Sequence, residues 1–359
     1  MLTLPSASKP ESAPPVPQAE YDAILAALKP IRDRAPLIAV IGINDATETT
    51  DYLMPTGILR RANIGQVVML ATGGGPVQLF PALKVLPDAT LREFDAVHPG
   101  GADYVIVPQM QPNDDPVILD WIKAQAHKGA MIIGVCAGAR IVANAGLLDG
   151  KRATTHWYYI KGLREAYPRV RYVRDRRLVT DQGVATTTGV TASMPMALTL
   201  IEAIAGRDKA QSVAAGLGLD HWDVRHDSAA FQFTRPFALT AMRNSLAFWT
   251  HESLGLEVVP GMDGVALALV ADAWSRTYRS QAVTFSRSDE PVGTLDEIRI
   301  LPDRVAADWP PDRRIAFDAA PPAQALDQNL AAIAQRYGNA TKRFVAMQLE
   351  YPEKTGNTA

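Results

Sequence analysis

The sequence predicts an α/β fold: a parallel sheet sandwiched by helices over residues 36–233, followed by a C-terminal α/β extension over 234–359. Two observations lead there. Leu37–Gly42, Gln66–Ala71, Tyr104–Val107 and residues 131–135 are short, mostly apolar runs that read as buried strands. Helical stretches separate them, and a parallel crossover needs such a helix to return the chain. At roughly 150 residues per domain, the 359-residue length also suggests two domains.

The elements follow in order. Residues 1–35 read as a flexible lead-in rich in Pro, Ser and Ala, with a short amphipathic helix at 21–28 that stops before Pro30. After the first strand, residues 50–62 read as a helix with Pro55 in its first turns and Asn63 and Gly65 to end it. The second strand runs into the turn at 72–76. Beyond the third strand, Asp114 or Asp115 caps a helix that has Pro116 in its first turn and runs to Gly129. The fourth strand leads directly into a helix over 136–146. Residues 178–180 and 184–187 are strand-like around a turn, and 194–205 is a helix. In the extension, 237–254 looks helical, 257–259 strand-like, and 264–276 and 324–337 helical; 343–349 reads as helix or strand.

Composition excludes several classes. The 36 basic and 38 acidic residues nearly cancel and form no block, so a nucleic-acid or membrane-surface partner has no support. No stretch offers the roughly 20 uninterrupted apolar residues of a spanning helix. The N-terminus lacks the basic-then-apolar order of a signal peptide, so a cytoplasmic location is expected. A single cysteine, Cys136, excludes an intrachain disulfide and a cysteine-cluster metal site. His98, His127, His221, His226 and His251 carry no metal-like spacing, so neither metal nor cofactor is expected.

Cys136 sits in Gly134-Val-Cys-Ala-Gly-Ala139, where a strand meets a helix. This is the layout of a nucleophile elbow, in which small neighbours let the chain turn sharply and lift the side chain out of the sheet. The N–H groups and dipole of the following helix would favour a thiolate, and the Ala137 N–H could donate to a developing oxyanion. The plain alternative is a buried strand-end cysteine.

A weak internal echo runs at an offset of 215 residues: Leu86-Pro-Asp-Ala-Thr-Leu91 faces Leu301-Pro-Asp-Arg-Val-Ala306, and Leu59-Arg-Arg-Ala62 faces Trp274-Ser-Arg-Thr277. Residues 255–310 then read as a degenerate copy of the first helix and two strands. The alternative, two unrelated segments that share a Leu-Pro-Asp, stays open. A copy would not be a second active site, because Ala266 stands where the first has Asp51 and there is no second cysteine.

The run GVCAGARIVANAGLLDGKRATTHW, residues 134–157, resembles the ThiJ/PfpI superfamily, a branch of the class I glutamine amidotransferase-like, flavodoxin-like fold. Within it, the run is most similar to isonitrile hydratases and to the ligand domains of AraC-type regulators. The segment 146–157 and the segment Thr188-Gly-Val-Thr-Ala-Ser193 carry the likeness, which covers roughly 36–230. The resemblance implies an acidic partner for Cys136 four positions before a proline. Asp51-Tyr-Leu-Met-Pro55 fits, with Glu48 as the rival. It implies a histidine near the cysteine, His156, as base or as pocket wall. It places Ala137, Gln109, Met110, Gly138 and Thr155 around the oxyanion and pocket. Two departures bear on hydratase activity: Gln109-Met110 replaces the family's Gly-Gly, and Ala137 replaces a threonine.

The reading ranked first is a cysteine-dependent hydratase or hydrolase acting on a small electrophilic substrate. The alternative is a non-enzymatic small-molecule or redox sensor, regulator-like but without its own DNA-binding domain. The extension would serve a homodimer or make a pseudo-dimer by covering a dimer surface.

Overall fold

A computed structural model describes residues 4–6 and 13–352, so parts of the expected lead-in (1–3 and 7–12) lie outside the described residues. The seven-stranded main sheet has the order Leu178–Asp181, Val184–Thr187, Met131–Gly134, Tyr104–Val107, Leu37–Gly42, Gln66–Ala71 and Ala89–Thr90. Only the edge hairpin, Leu178–Asp181 against Val184–Thr187, is antiparallel. The five longer parallel strands run 2-1-3-4-5 in chain order, the doubly wound flavodoxin-like arrangement.

The five longer parallel strands are covered on both faces, which explains the apolar runs. Along the central strand, Ile38 and Val40 face one core with Leu53 and Ile58 of the Thr49–Ala62 helix and Leu198 of the Ser193–Ala205 helix. Leu37, Ala39 and Ile41 face the other, with Ile118 and Ile122 of Pro116–His127 and Val142 of Gly138–Asn144. Asn63 ends the Thr49–Ala62 helix in the left-handed region, and Asp115 caps Pro116–His127, as the sequence suggested. The direction in which successive strands are added reverses between Leu37–Gly42 and Tyr104–Val107. Ligands bind at such a point, beyond the carboxyl ends of the strands.

Some expectations change. The 72–90 turn region carries the short strands Val77–Phe80 and Lys84–Leu86, followed by the helix Leu91–Val97. That helix starts with a capping box, Thr90 to Glu93. A further helix, Arg207–Gly216, follows Ser193–Ala205. The helix expected over 237–254 runs only Arg235–Leu246. Residues 252–254 instead open the strand Glu252–Glu257, whose backbone pairs with Ser280–Ser286 and whose Glu252 carboxylate binds Arg336. The last element is a helix, Asn339–Gln348.

The extension contains a parallel three-stranded sheet of Glu252–Glu257, Ser280–Ser286 and Arg304–Val305, with the helix Gly264–Ser275 between its first two strands. Its apolar residues Leu254, Leu256, Leu267, Ile300, Leu330 and Val345 belong to the same buried cluster as Ile38 and Val40. The two regions therefore share one core. They are joined again where Lys84–Leu86 pairs antiparallel with Arg299–Ile300.

Candidate active site

Cys136 lies just past Met131–Gly134 with φ of 56°, a left-handed conformation that a non-glycine residue holds only when its surroundings enforce it. The enforcement is visible. Its N–H donates to Thr187 Oγ1 at 3.1 Å, and Thr155 Oγ1 donates to its carbonyl at 2.9 Å. Gly138 passes so close to the neighbouring strand that a Cβ there would lie 2.0 Å from the Val107 carbonyl oxygen. A side chain at 138 would push the elbow off the sheet. The small residues noted in the sequence are thus demanded by the approach of two backbones.

Two carboxyls come from the strand Asp45–Glu48 and the helix that follows it. Glu48 caps that helix: its Oε2 accepts the Asp51 N–H at 2.6 Å and the Thr50 hydroxyl at 2.9 Å. Its Oε1 accepts from Arg276 Nη2 at 2.6 Å. Arg276 also grips Asp272 through Nε, at 2.8 and 2.9 Å. Asp51 differs. Its Oδ2 accepts the Gln109 N–H at 3.1 Å, while its buried Oδ1 has no partner. Burial, then the charge of Glu48, pushes the Asp51 carboxyl well above the usual range. A carboxyl paired with an arginine thus sits beside an unpartnered one that binds its proton more tightly than usual.

The thiol does not behave as the elbow alone suggested. Burial first, then Asp51, Glu48 and Glu350, pushes it well above its ordinary value, and the Ala137 N–H only partly offsets this. The dipole expectation fails because burial, and then the three carboxyl groups, outweigh the Ala137 N–H. At rest Cys136 is a thiol.

His156 is placed near the site with both ring nitrogens committed. Nε2 is 2.9 Å from the Gln348 carbonyl and must donate to it, while Nδ1 accepts the Tyr158 N–H at 3.2 Å. Burial lowers its pKa, which keeps the ring neutral. That arrangement makes a wall and leaves no nitrogen free for the thiol. Gln109 holds both acidic residues by its backbone: its N–H binds Asp51 and its carbonyl accepts the Glu48 N–H at 2.9 Å. The Gly-Gly replacement therefore keeps the backbone contacts. Met110 is buried among Val107 and Ile118 on the other core and bridges to Thr47, so it braces the loop.

Sequence reasoning missed three participants. Arg276 and Glu350 come from the extension, and Tyr159 from the segment after His156. Glu350 Oε1 accepts the Trp157 N–H at 2.7 Å. Burial would raise its pKa, but His156, His226 and the Gly189 and Trp157 N–H groups outweigh that and lower it. Tyr159 is half-buried, its phenol pushed up by burial and then by Cys136; Arg140 lies 5.1 Å over its ring, and Gln109 Nε2 donates to its hydroxyl at 3.4 Å. Gln109, Arg140 and Tyr159 are the half-buried rim of a closed site, in which Cys136 is 3% and Asp51 0% exposed. Only Arg276 had a signal in the sequence, as the echo of Arg61. Among the described residues, no group of three His, Cys, Asp or Glu is placed to hold a metal ion.

Residues 38–203 match the model of the DJ-1/PfpI family, so the chain carries a DJ-1/PfpI domain. The chain is 28% identical over 185 residues to protein dj-1beta of Drosophila melanogaster, covering 50% of this chain and 95% of that one. The crystal structure of that protein covers 52% of this chain and 100% of its own, with a TM-score of 0.46 at 24% identity. Isonitrile hydratase of Pseudomonas putida is 38% identical over 144 residues, 38% of this chain and 59% of the relative. The HTH-type transcriptional regulator CdhR of Pseudomonas aeruginosa is 27% identical over 209 residues, 57% of this chain and 59% of the relative.

Proposed function

We propose that the DJ-1/PfpI domain of this chain is a cysteine-dependent enzyme that hydrates a small electrophilic substrate of the isonitrile type. The observation that carries the reading is the unpartnered, proton-retaining carboxyl of Asp51 in the same closed site as a thiol on a strained elbow. Both groups are protonated at rest, so the chemistry starts from thiol and acid rather than from a thiolate.

Asp51 gives its proton to the isonitrile carbon while the sulfur of Cys136 bonds to that same carbon. The proton leaving the thiol returns to the Asp51 carboxylate, and a thioimidate is formed. Water adds to the thioimidate carbon, the C–S bond breaks, and the thiol recovers its proton. The product is an N-substituted formamide. Glu48, paired with Arg276, strengthens the hold of Asp51 on the proton that the transfer needs. The Ala137 N–H is aimed at the reacting centre and supports charge that develops there.

A regulator-like binding role is the second reading, and the burial of Cys136 favours it, since a closed site suits ligand retention. A redox sensor fits less well, because such cysteines are accessible and readily ionised. The test is formamide production from a small aliphatic isonitrile by the full chain, with Cys136→Ala and Asp51→Ala. Turnover lost in both variants supports the enzyme. Saturable ligand binding with no turnover by the unaltered chain supports the regulator.

A further inference from the structure

We propose that the C-terminal extension is an internal, degenerate copy that takes the place of a partner subunit, and that it lends Arg276 to the Cys136 site as a positioning residue. Elements 215 positions apart match one by one. Leu37–Gly42 corresponds to Glu252–Glu257, Thr49–Ala62 to Gly264–Ser275, Gln66–Ala71 to Ser280–Ser286, and Ala89–Thr90 to Arg304–Val305. Each set makes a parallel sheet with its helix between the first two strands.

The detail repeats too. Glu48 and its counterpart Asp263 cap the two helices by accepting the N–H of Asp51 and Ala266. Asp88 and its counterpart Asp303 accept the N–H of Met69 and Thr284, and return their own N–H to the carbonyls of those same residues. Asn63 and Tyr278 both take left-handed backbone after the helix. Two unrelated segments have no reason to share these contacts at one offset.

The two sets also meet as two subunits would about a two-fold axis, where each surface contacts its own equivalent. Val85 pairs antiparallel with Ile300, which is its own counterpart. The arginines cross reciprocally: Arg61 binds Asp263, while its counterpart Arg276 binds Glu48. The Thr49–Ala62 and Gly264–Ser275 helices pack together, so closely that a Cβ on Gly57 would lie 2.6 Å from Val265 Cγ2. The symmetry is broken in one functional respect. The copy has no cysteine and carries Ala266 in place of Asp51, so only the Arg276 side of the crossing serves a reactive site. Arg276 faces Glu48 and Asp272, and its charge also reaches Asp51 and Cys136. Glu350 and His156 complete the ionisable groups around the thiol, with Tyr159 on the outside.

The proposal takes Cys136 as the reactive group, but its test needs no turnover and so fails separately from the hydratase reading. The chain has one cysteine, so the pH dependence of alkylation by iodoacetamide reports Cys136 alone. Removing the cation in Arg276→Gln is expected to move that profile to higher pH by about one unit, a roughly tenfold slower reaction at fixed pH below the thiol pKa. Arg276→Lys should restore it. Arg61→Gln, the symmetry-related change on the side without a thiol, should leave it in place. An unmoved Arg276→Gln profile in a chain that still folds by circular dichroism, or equal shifts in both variants, overturns the positioning role. Light scattering on the full chain should return the mass of one chain, 38.8 kDa. A two-chain mass overturns the stand-in role.

Discussion

Replacing Asp51 with asparagine separates proton transfer from structure. Asparagine has the same shape, and its Oδ1 can still accept the Gln109 N–H that now binds Asp51 Oδ2 at 3.1 Å. Its amide can still donate a hydrogen bond, but it cannot give up a proton to a substrate carbon. A positioned general acid contributes about 10²–10⁴-fold, which is about 3–5 kcal/mol of barrier. The variant should lose that much in kcat for isonitrile hydration, followed as formamide formation, with KM little changed. Stability should move the other way. A carboxyl whose folded-state pKa is raised favours the fold most at low pH, and that contribution is lost as pH rises through the folded pKa. The asparagine variant escapes the loss, so its melting temperature should overtake that of the unaltered chain as pH climbs above 3.8 towards neutral. A variant that folds and retains kcat within threefold would refute the reasoning.

Other outcomes follow from the same geometry. Gly138→Ala puts a Cβ 2.0 Å from the Val107 carbonyl oxygen. It should cost at least about 1–3 kcal/mol in urea unfolding and lower activity by displacing the elbow; an unchanged urea midpoint would contradict the close approach. His156 and His226 are both held neutral by burial, which lowers their pKa below 6.5. At these two sites the unfolded chain therefore binds more protons than the folded one as pH falls from 6.5, so the pair subtracts stability in that window, against the gain from the raised carboxyls of Asp51 and Asp272. Glu350, whose pKa is lowered, adds a further loss below 4.5. A change in urea midpoint between pH 7 and about 5 that is the same in His226→Phe as in the unaltered chain would contradict this.

Much of the main sheet was legible because strands buried on both faces, such as Leu37–Gly42, must be apolar without interruption. The elbow was legible because Gly134 and Gly138 flank Cys136 where a strand ends. Glu252–Glu257 was misread because Glu-Ser-Leu-Gly-Leu-Glu lacks β-branched residues; its strand is decided by pairing with Ser280–Ser286, which no local window contains. Asp51 and Glu48, offered by the sequence as rivals, sit in one hydrogen-bonded unit, where Glu48 accepts the Asp51 N–H and Asp51 keeps one oxygen unpartnered. What distinguishes them is Arg276, 228 positions away in sequence from Glu48, which pairs with Glu48. Glu350 could not have been found from sequence: its carboxylate reaches the Trp157 N–H 193 residues away, and nothing in the surrounding Gln348-Leu-Glu-Tyr351 marks a site.

The central claim is that reaction occurs at Cys136. Intact-protein mass spectrometry during exposure to a small isonitrile tests it most directly, comparing the unaltered chain with Cys136→Ala. The account predicts a transient mass increase equal to one isonitrile, mapped to the peptide carrying Cys136, together with formamide release. Both should be absent in Cys136→Ala. Formamide release by Cys136→Ala at the full rate would contradict it.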